Sequence, residues 1–403
     1  MTNRIKFLTK FLILAMILSL SAGVMAQDET ETYILGVAQP FTGSLGSFGE
    51  DFERGIELAV NQMNAELEAA GSPIRFEIAS ADTEQTPEGA ARAVQTIVQT
   101  TGAEVIVGPL TTGEVLGAKQ FADENGVVLV APASSGVAGA IPGDNIFRVM
   151  FPPDTFAATA FVSIAQDRGY ENIVILYVDD PFGNGMTEIF TNDFQAAGGG
   201  EVSTIAYAPD PADLSSEAAA VSAEIASLQG SGNTAFFCIC FLGDAQMLLQ
   251  SAIVDPILST VEWMGAENLA NAELLADPAH GELLANANFI SVSFASTSTP
   301  LTPIFLADFM EAYGSEPGPF TNYAYDAANI AMLTMLAVGN DGDAVSEMLP
   351  FIANHYIGTA VQAFLDDNGD QALAIYGLYQ VDGSDIVEVG TFNGSNNSVT
   401  YND

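Results

Sequence analysis

Positively charged residues are scarce in this sequence. The 403 residues include nine Lys and Arg against 51 Asp and Glu, a formal net charge of −42. Arg4, Lys6 and Lys10 precede Ala26, and Lys119 is the only lysine after it. Binding to nucleic acid or to anionic lipid requires clusters of basic residues that neutralise phosphate. The composition therefore excludes a nucleic-acid partner and disfavours docking on an anionic lipid surface.

Histidine and cysteine are equally rare, which limits the chemistry open to the chain. The only histidines are His280 and His355, and the only cysteines are Cys238 and Cys240. Metal clusters need more ligands than these, so we expect no metal and no cofactor. On one strand the two cysteines would share a face but lie too far apart for easy bridging, so we predict buried free thiols.

Catalytic motifs are also missing. The sequence has no G-x-S-x-G elbow, no P-loop and no H-E-x-x-H motif. Gly43, Gly46 and Gly49 are spaced by threes and do not make the dinucleotide fingerprint. We therefore predict that the protein is not an enzyme. A hydrolase remains an alternative, which an assay of turnover on amino-acid amides and esters would test.

Residues 1–26 have the pattern of a secretory signal peptide. A basic start precedes the apolar run Phe11–Leu20, and small residues end at Ala26. The apolar run is short for a membrane span, so an uncleaved anchor is the weaker alternative. We predict cleavage near Ala26 and an extracytoplasmic protein, in a periplasm or at the cell exterior.

Short apolar strands alternate with amphipathic helices over the rest of the chain. The strand Tyr33–Ala38 precedes the long helix Phe48–Ala69, and the alternation begins again after Pro153. This alternation is typical of parallel sheets covered by helices on both faces. The segments Ala374–Tyr379 and Ile386–Phe392 predict a terminal β-hairpin instead. We predict an α/β protein with two doubly wound parallel-sheet lobes.

Three loops at predicted strand ends are rich in small polar residues. They follow the first, third and fourth strands and include Gly43, Ser44, Thr111, Thr112, Ala133, Ser134 and Ser135. Hydroxyl groups and free backbone N–H groups at a helix start bind a carboxylate without an arginine. The alternative for each loop is an N-cap or a turn. Because loops on a rigid scaffold carry binding, we interpret them as a carboxylate site.

Glu267 follows the short apolar run Val261–Met264, where a parallel strand would end. Ligands of open α/β sheets bind outside the carboxyl ends of the strands. In a chain with so few cations this carboxylate needs a cationic partner, which we interpret as the ammonium group of a bound amino acid. The alternative is a solvated loop acid, since most glutamates are exposed.

Several short motifs carry a resemblance to a known family through their order and spacing. They are Gly36–Gly43, Val107-Gly108-Pro109, Val130–Ala133, Tyr177–Gly183, Met264–Glu267 and Tyr323–Ala327. Over nearly all of its length after residue 26 the chain resembles the type I periplasmic binding proteins of ATP-driven amino-acid importers. It is most similar to the leucine/isoleucine/valine-binding group.

The resemblance implies two lobes that close on a ligand and are joined by three crossovers, near Phe151, Ile290 and Tyr376. It divides the chain into a signal peptide (1–26), a first lobe (27–151 and 291–376), and a second lobe (152–290 with a C-terminal hairpin, 377–403). Both lobes keep the doubly wound parallel sheet.

The resemblance also implies roles for single residues. Thr112 and the segment Ala133–Ser135 match the family's α-carboxylate site. Glu267 matches the residue that holds the α-ammonium group, with help from the carbonyl of the Ala133 region. Phe48 matches an aromatic residue of the side-chain pocket.

Two positions depart from the family pattern. Phe182 stands where the family usually has tyrosine, and Cys240-Phe241 stands where relatives tend to have tyrosines. The missing hydroxyl groups predict an apolar pocket, formed by Phe48, Phe182 and Phe241, that favours a branched or aromatic side chain.

We therefore predict a monomeric solute receptor that captures a hydrophobic amino acid of the branched-chain type. It would deliver this ligand to the membrane permease of an ABC importer. One alternative is a receptor of the same fold for a short amide, urea or an aromatic acid, although Glu267 argues against a purely anionic ligand. Another is a sensor that reports to a membrane kinase.

Overall fold

The computed structural model describes residues 30–228, 230–294, 299–359 and 362–402. The predicted signal peptide and its cleavage site lie outside the described residues. Among the helices within the described ranges, none is long and apolar enough to span a bilayer.

Strands and helices alternate along most of the chain, as the sequence pattern predicts. The α-helices are α1 (Gly46–Ala69), α2 (Pro87–Thr101), α3 (Thr112–Asn125), α4 (Asp154–Asp167), α5 (Pro181–Ala196), α6 (Ser215–Leu228), α7 (Leu242–Ala252), α8 (Pro278–Asn286), α9 (Thr302–Tyr313), α10 (Thr321–Val338) and α11 (Gly342–Ala353). The β-strands are β1 (Glu31–Gln39), β2 (Ile74–Asp82), β3 (Val105–Val107), β4 (Val128–Val130), β5 (Ile146–Phe147), β6 (Asn172–Val178), β7 (Val202–Tyr207), β8 (Thr234–Ile239), β9 (Glu262–Gly265), β10 (Ile290–Phe294), β11 (Ile375–Asp382), β12 (Asp385–Asn393) and β13 (Ser398–Tyr401).

The strands form two sheets, one in each of two lobes. The first sheet has the order β2-β1-β3-β4-β5, and all of its strands are parallel. The second has the order β13-β12-β11-β10-β9-β8-β6-β7, in which β11, β12 and β13 run antiparallel to their neighbours. The predicted C-terminal hairpin is confirmed, and β13 adds a strand that the sequence pattern did not predict.

Helices cover both faces of the first sheet because successive side chains of its strands point to opposite sides. Val105 and Val107 of β3 belong to an apolar cluster with α1 and α10, whereas Ile106 belongs to a second cluster with α2 and α3. The central strands are short, rich in valine and buried on both faces, as is typical of parallel sheets.

The chain passes between the two lobes three times. It leaves the first sheet after β5, returns from the second sheet after β10 to the helices α9, α10 and α11, and re-enters the second sheet at β11. β10 pairs with both β9 and β11, so the chain stays in the second sheet through Phe294. The lobe boundaries along the sequence otherwise stay a prediction.

Cys238 and Cys240 form a disulfide bond, so the prediction of two free thiols is wrong. β8 ends at Ile239, so Cys238 lies in the strand and Cys240 directly follows it. The two Cα atoms lie 5.4 Å apart, close to the usual disulfide spacing, whereas an extended strand would separate them by about 6.6 Å. Both cysteines are buried in the second lobe, next to Phe241.

Candidate functional site

A cavity with about 520 Å³ of empty space, its mouth included, lies between the two lobes. Its lining residues are Leu45, Phe48, Phe52, Leu110, Thr111, Thr112, Ala133, Ser135, Phe151, Phe182, Phe241, Glu267, Asn268 and Phe320. Most of them stand just beyond the carboxyl ends of strands, the edge at which open α/β sheets bind ligands.

The cavity brings together seven of the eight residues that the sequence predicts for a ligand site. Ser134 is the exception and does not line the cavity. Its Oγ atom nevertheless lies 3.1 Å from Thr112 Oγ1, so it supports a lining residue directly. The prediction thus names residues from both lobes that share one cavity.

The lobes touch each other at the mouth of this cavity. Ser47 of the first lobe donates a hydrogen bond of 3.3 Å to Glu273 Oε2 of the second lobe. Gly243 lies against Ser44, where an added Cβ atom would be 3.0 Å from the serine Cβ atom. The two lobes are therefore in contact through two residues that precede Phe48 in the sequence.

Thr111 and Thr112 have separate tasks, although the sequence left open which of them caps α3. Thr111 is the N-cap, because its Oγ1 atom accepts from Glu114 N and its own N–H donates to Glu114 Oε2. This is a reciprocal capping box. Burial raises the pKa of Glu114, and hydrogen bonds from Thr83 and Thr111 oppose that rise. Thr112 is left available to the cavity.

The hydroxyl group of Thr112 is held by the loop that follows β4. Gly136 N donates to Thr112 Oγ1 at 2.8 Å, and Ser134 Oγ lies within hydrogen-bonding distance of the same atom. Ser135 lines the cavity, and its carbonyl accepts from the backbone N–H of Asp154. Small polar groups of two loops therefore meet at one side chain.

Glu267 carries a buried carboxyl group into the cavity. It follows β9 at the start of a short 3₁₀ turn, and the residue is 3% exposed. Its Oε1 atom has no hydrogen-bond partner among the described residues. Burial raises the pKa of Glu267 well above its usual value, and the charge of Asp154 adds to the rise. A buried carboxyl group in this state needs a partner.

Asp154 is a second buried carboxyl group beside Glu267, and the sequence analysis missed it. It is fully buried at the start of α4. Neither of its side-chain oxygens has a hydrogen bond of good geometry within the described ranges, although the nearby Ser135 hydroxyl and Arg148 lower the pKa of Asp154. Burial dominates and raises that pKa to about 7. An acid in the first turn of a helix is common, so nothing in the sequence distinguishes Asp154 from an ordinary residue at a helix start.

Within the described residues, no cationic side chain forms an ion pair with either carboxyl group. The charge of Arg148 lowers the pKa of Asp154, but the guanidinium group of Arg148 is paired with Asp370. None of the ion pairs within the described residues includes Glu267 or Asp154. Tyr376 faces both groups, whose charges add to burial in raising the pKa of its hydroxyl well above the usual value.

Phenylalanine rings form the apolar part of the cavity wall. Phe182 and Phe241 of the second lobe stack with ring centroids 5.7 Å apart and planes at 19°. Phe48 of the first lobe stacks on Phe320 at 6.1 Å, and Phe320 meets the edge of Phe151 at 4.9 Å. The sequence predicted Phe48, Phe182 and Phe241 as pocket residues.

Three further rings were missed by the sequence analysis. Phe52 lies one helical turn after Phe48 on α1, so helical spacing was a usable signal. Phe151 and Phe320 flank the cavity from the connection after β5 and from the start of α10. Phe320 has a φ of 64°, which is unusual for a bulky residue. No local pattern links these two residues, because only the packing of the lobes brings them together.

Metal binding receives no support from the side chains. The described residues contain no group of three or more His, Cys, Asp or Glu placed to hold a metal ion. Glu267 lines this cavity among apolar and hydroxyl-bearing side chains, and Asp154 lies buried beside it, outside the lining. The arrangement is suited to holding a small molecule and lacks a nucleophile activated by a base.

Comparisons with known proteins agree with this architecture. A family model described as "Periplasmic binding protein" matches residues 32–382. The Leu/Ile/Val-binding protein BraC3 of Rhizobium johnstonii is 22% identical over 358 residues, which cover 88% of this chain and 92% of that protein.

Solved structures share the fold. The leucine-binding protein LivK from Thermotoga maritima has a TM-score of 0.77 at 21% identity, over 90% of this chain and 99% of its own. A solute-binding protein of an ABC transporter from R. palustris, in complex with benzoate, has a TM-score of 0.75 at 20% identity, over 93% and 98%. Both are two-lobed binding proteins.

The relatives are substrate-binding proteins of ABC transporters and not enzymes. Membership of their family implies a location outside the cytoplasm. A match that extends over 32–382 includes every residue that lines the cavity and all strands of the second sheet except β12 and β13. The chain therefore belongs to the periplasmic binding protein family.

Proposed function

We propose that this protein binds a hydrophobic α-amino acid of the leucine, isoleucine and valine class in the cavity between its lobes. It would deliver this ligand to the permease of an ABC importer. The observation that carries the proposal is a pair of buried carboxyl groups without a cationic partner, next to hydroxyl donors and phenylalanine rings.

Glu267 and Asp154 supply the site for the ammonium group. A buried carboxylate is costly unless it is paired and hydrogen-bonded. An ammonium group brings three N–H donors and one positive charge, and so provides what both carboxyl groups lack. Glu267 was predicted for this role from the sequence, and Asp154 joins it because of its burial beside Glu267.

Thr112 and Ser135 supply donors for the carboxylate group. Both line the cavity, and Thr112 stands at the first position of α3, where backbone N–H groups lack partners within the helix. Helix starts favour anions through these N–H groups and the helix dipole. The residue types suit a carboxylate although no arginine lines the cavity.

The phenylalanine rings supply the side-chain pocket. Phe182 and Phe241 present flat apolar surface without the hydroxyl groups that the family pattern usually carries at these positions. A polar side chain would lose its hydration there without gaining a partner. Leucine, isoleucine, valine and phenylalanine therefore fit the pocket better than serine or glutamine.

An aromatic acid is the second candidate ligand. Six phenylalanine rings line the cavity, and a solved structure of the same fold holds benzoate. Benzoate has no ammonium group, so it would leave both buried carboxyl groups unpaired beside another negative charge. This repulsion makes us favour the amino acid.

A ligand screen tests the proposal. Purified protein beginning at residue 27 would be melted with L-leucine, L-isoleucine, L-valine, L-phenylalanine, L-serine, benzoate, urea and acetamide. A ligand that binds only the folded state raises stability by about 2.7 kcal/mol at a concentration of 100 Kd. We expect the largest shifts with the branched-chain amino acids. A shift with benzoate or urea and none with any amino acid would overturn the assignment.

Delivery to a permease needs its own experiment. Uptake of radiolabelled leucine would be compared in cells with and without the gene for this protein. A transport subunit predicts loss of high-affinity uptake when the gene is deleted. Unchanged uptake together with tight binding by the purified protein would favour a sensor.

A further inference from the structure

We propose that Arg148 is a positioning residue for the ligand carboxylate. Fixed by Asp370, it would hold the loop after β4 so that the hydroxyl proton of Thr112 points into the cavity. This inference rests on the proposed function, since it concerns how the site recognises a carboxylate. Neither residue lines the cavity.

Arg148 and Asp370 form a buried pair between distant parts of the chain. Arg148 Nε donates to Asp370 Oδ1 at 2.6 Å, and Nη2 donates to Oδ2 at 2.5 Å. The side chains are 0% and 1% exposed. A bidentate pair fixes the plane of the guanidinium group, which a lysine cannot reproduce.

The backbone strengthens this connection. Arg148 N donates to Gly369 O, and Gln371 N donates to Arg148 O. Asp370 lies on the third connection between the lobes, between α11 and β11. The segment before β11 is therefore attached to the residue that directly follows β5.

The third nitrogen of the guanidinium group, Nη1, contacts the loop that follows β4. Arg148 Nη1 donates to the carbonyl of Gly136 at 2.6 Å. The N–H of the same residue donates to Thr112 Oγ1 at 2.8 Å. One residue, Gly136, thus stands between the guanidinium group and the hydroxyl group that we assign to the ligand.

When Ser134 is the donor to Thr112, a count of donors and acceptors gives the direction of the Thr112 proton. A hydroxyl group has one donor and two acceptor sites. Gly136 N–H occupies one acceptor site, and Ser134 Oγ at 3.1 Å occupies the second when it donates. The proton of Thr112 is then directed to the cavity, where a carboxylate oxygen accepts it.

A side chain at position 136 would collide with Thr112. A Cβ atom added there would lie 2.7 Å from Thr112 Oγ1 and 3.0 Å from its Cβ and Cγ2 atoms. Gly136→Ala therefore disturbs Thr112 without touching the buried ion pair. It offers a second way to break the same connection.

The main variant is Arg148→Lys, which keeps the positive charge near Asp154 and removes the bidentate guanidinium group. Arg168→Lys is the matched control. Arg168 also donates to a carbonyl, that of Asn288, and contacts a carboxylate, that of Glu262, but it does not approach the cavity. Both substitutions disturb a partly or fully buried arginine, so loss of stability alone does not separate them.

Calorimetry with L-leucine and L-leucinamide measures the predicted effect. The amide keeps the ammonium group and the side chain but lacks the carboxylate charge. Since hydrogen bonds to charged groups are involved, we expect Arg148→Lys to weaken leucine binding by about tenfold or more. Binding of leucinamide should change by less than about threefold, and Arg168→Lys should change neither. An equal loss for both ligands, or no loss for leucine, would overturn the proposal.

Hydrogen exchange without ligand separates this proposal from the proposed function. We expect faster amide exchange in residues 131–139 of Arg148→Lys than in the wild type, and no change in Arg168→Lys. If the wild type does not bind leucine, the proposed function fails, while this exchange pattern still supports the positioning role. If Arg148→Lys does not fold, Gly136→Ala replaces it in calorimetry and must show the same selective loss for leucine.

Discussion

Asp154 and Glu267 lie near each other as two buried carboxyl groups from different elements. The charge of Asp154 adds to burial in raising the pKa of Glu267, and burial raises the pKa of Asp154 to about 7. Asp154 begins α4, whereas Glu267 follows β9, so 113 positions of sequence separate them. Their proximity is a property of the tertiary structure, and it governs the first two predictions.

Glu267→Gln and Asp154→Asn should each weaken leucine binding strongly. Removing one partner of a buried charge pair costs about 3–5 kcal/mol, which is roughly two to four orders of magnitude in Kd. Calorimetry on the variants measures this loss. The thermal stability of the ligand-free protein should stay equal or rise, because a neutral amide replaces an unpaired buried acid. Binding within a few-fold of wild type would remove that residue from the ammonium site.

Stability and affinity should depend on pH in opposite directions. From about pH 4 to about pH 7 the unfolded chain loses the protons of Asp154 and Glu267 while the folded protein retains them. The free energy of unfolding without ligand should therefore fall as the pH rises through this window. The ammonium group favours the ionised carboxylates, so leucine affinity should increase over the same window.

Thermal melts with and without leucine, at several values between about pH 5 and about pH 8, test this linkage. Asp180 and Asp244, whose pKa values burial raises to about 6, contribute to stability in the same direction. Asp154→Asn is the control, and it should flatten the dependence of leucine affinity. A leucine-induced shift that is independent of pH in the wild type would contradict the assignment.

Thr111 and Thr112 allow a comparison of two adjacent hydroxyl groups. Thr112→Val should weaken leucine binding by about 1.5–3 kcal/mol, because a hydrogen bond to a charged group is lost. Thr111→Val removes the N-cap of α3 and should lower stability by about 1 kcal/mol. Leucine binding should depend mainly on Thr112. Calorimetry measures leucine binding and chemical denaturation measures stability in both variants. Loss of binding in Thr111→Val together with loss of stability in Thr112→Val would contradict the two assignments.

The disulfide bond should contribute little to global stability. The two cysteines are only two positions apart, so the closed loop restricts the unfolded chain weakly, by about 1–2 kcal/mol in the chain-entropy relation. Mass spectrometry of the alkylated, unreduced protein should find Cys238 and Cys240 linked. The double variant Cys238→Ser, Cys240→Ser should fold with a slightly lower Tm. Free thiols in the exported protein would contradict the structure.

Local patterns in the sequence determined the fold class and much of the candidate site. Alternating strands and helices imply parallel sheets, and the carboxyl ends of parallel strands share one edge. Residues in the loops that follow strands, such as Thr112, Ser135 and Glu267, were therefore accessible to sequence reasoning, whereas Phe182 was predicted only through the resemblance to the family.

Contacts between distant segments were decided only by the tertiary structure. Asp154 reads as an ordinary helix start until its burial beside Glu267 is known, and Phe320 reads as a loop residue until it stacks on Phe48. Arg148 gains its role through Asp370, 222 positions away. The Cys238–Cys240 bond depended on the distance between the two Cα atoms, which the strand pattern overestimated. Burial, the pKa of a buried acid and the direction of a hydroxyl proton all depend on neighbours that no local pattern encodes.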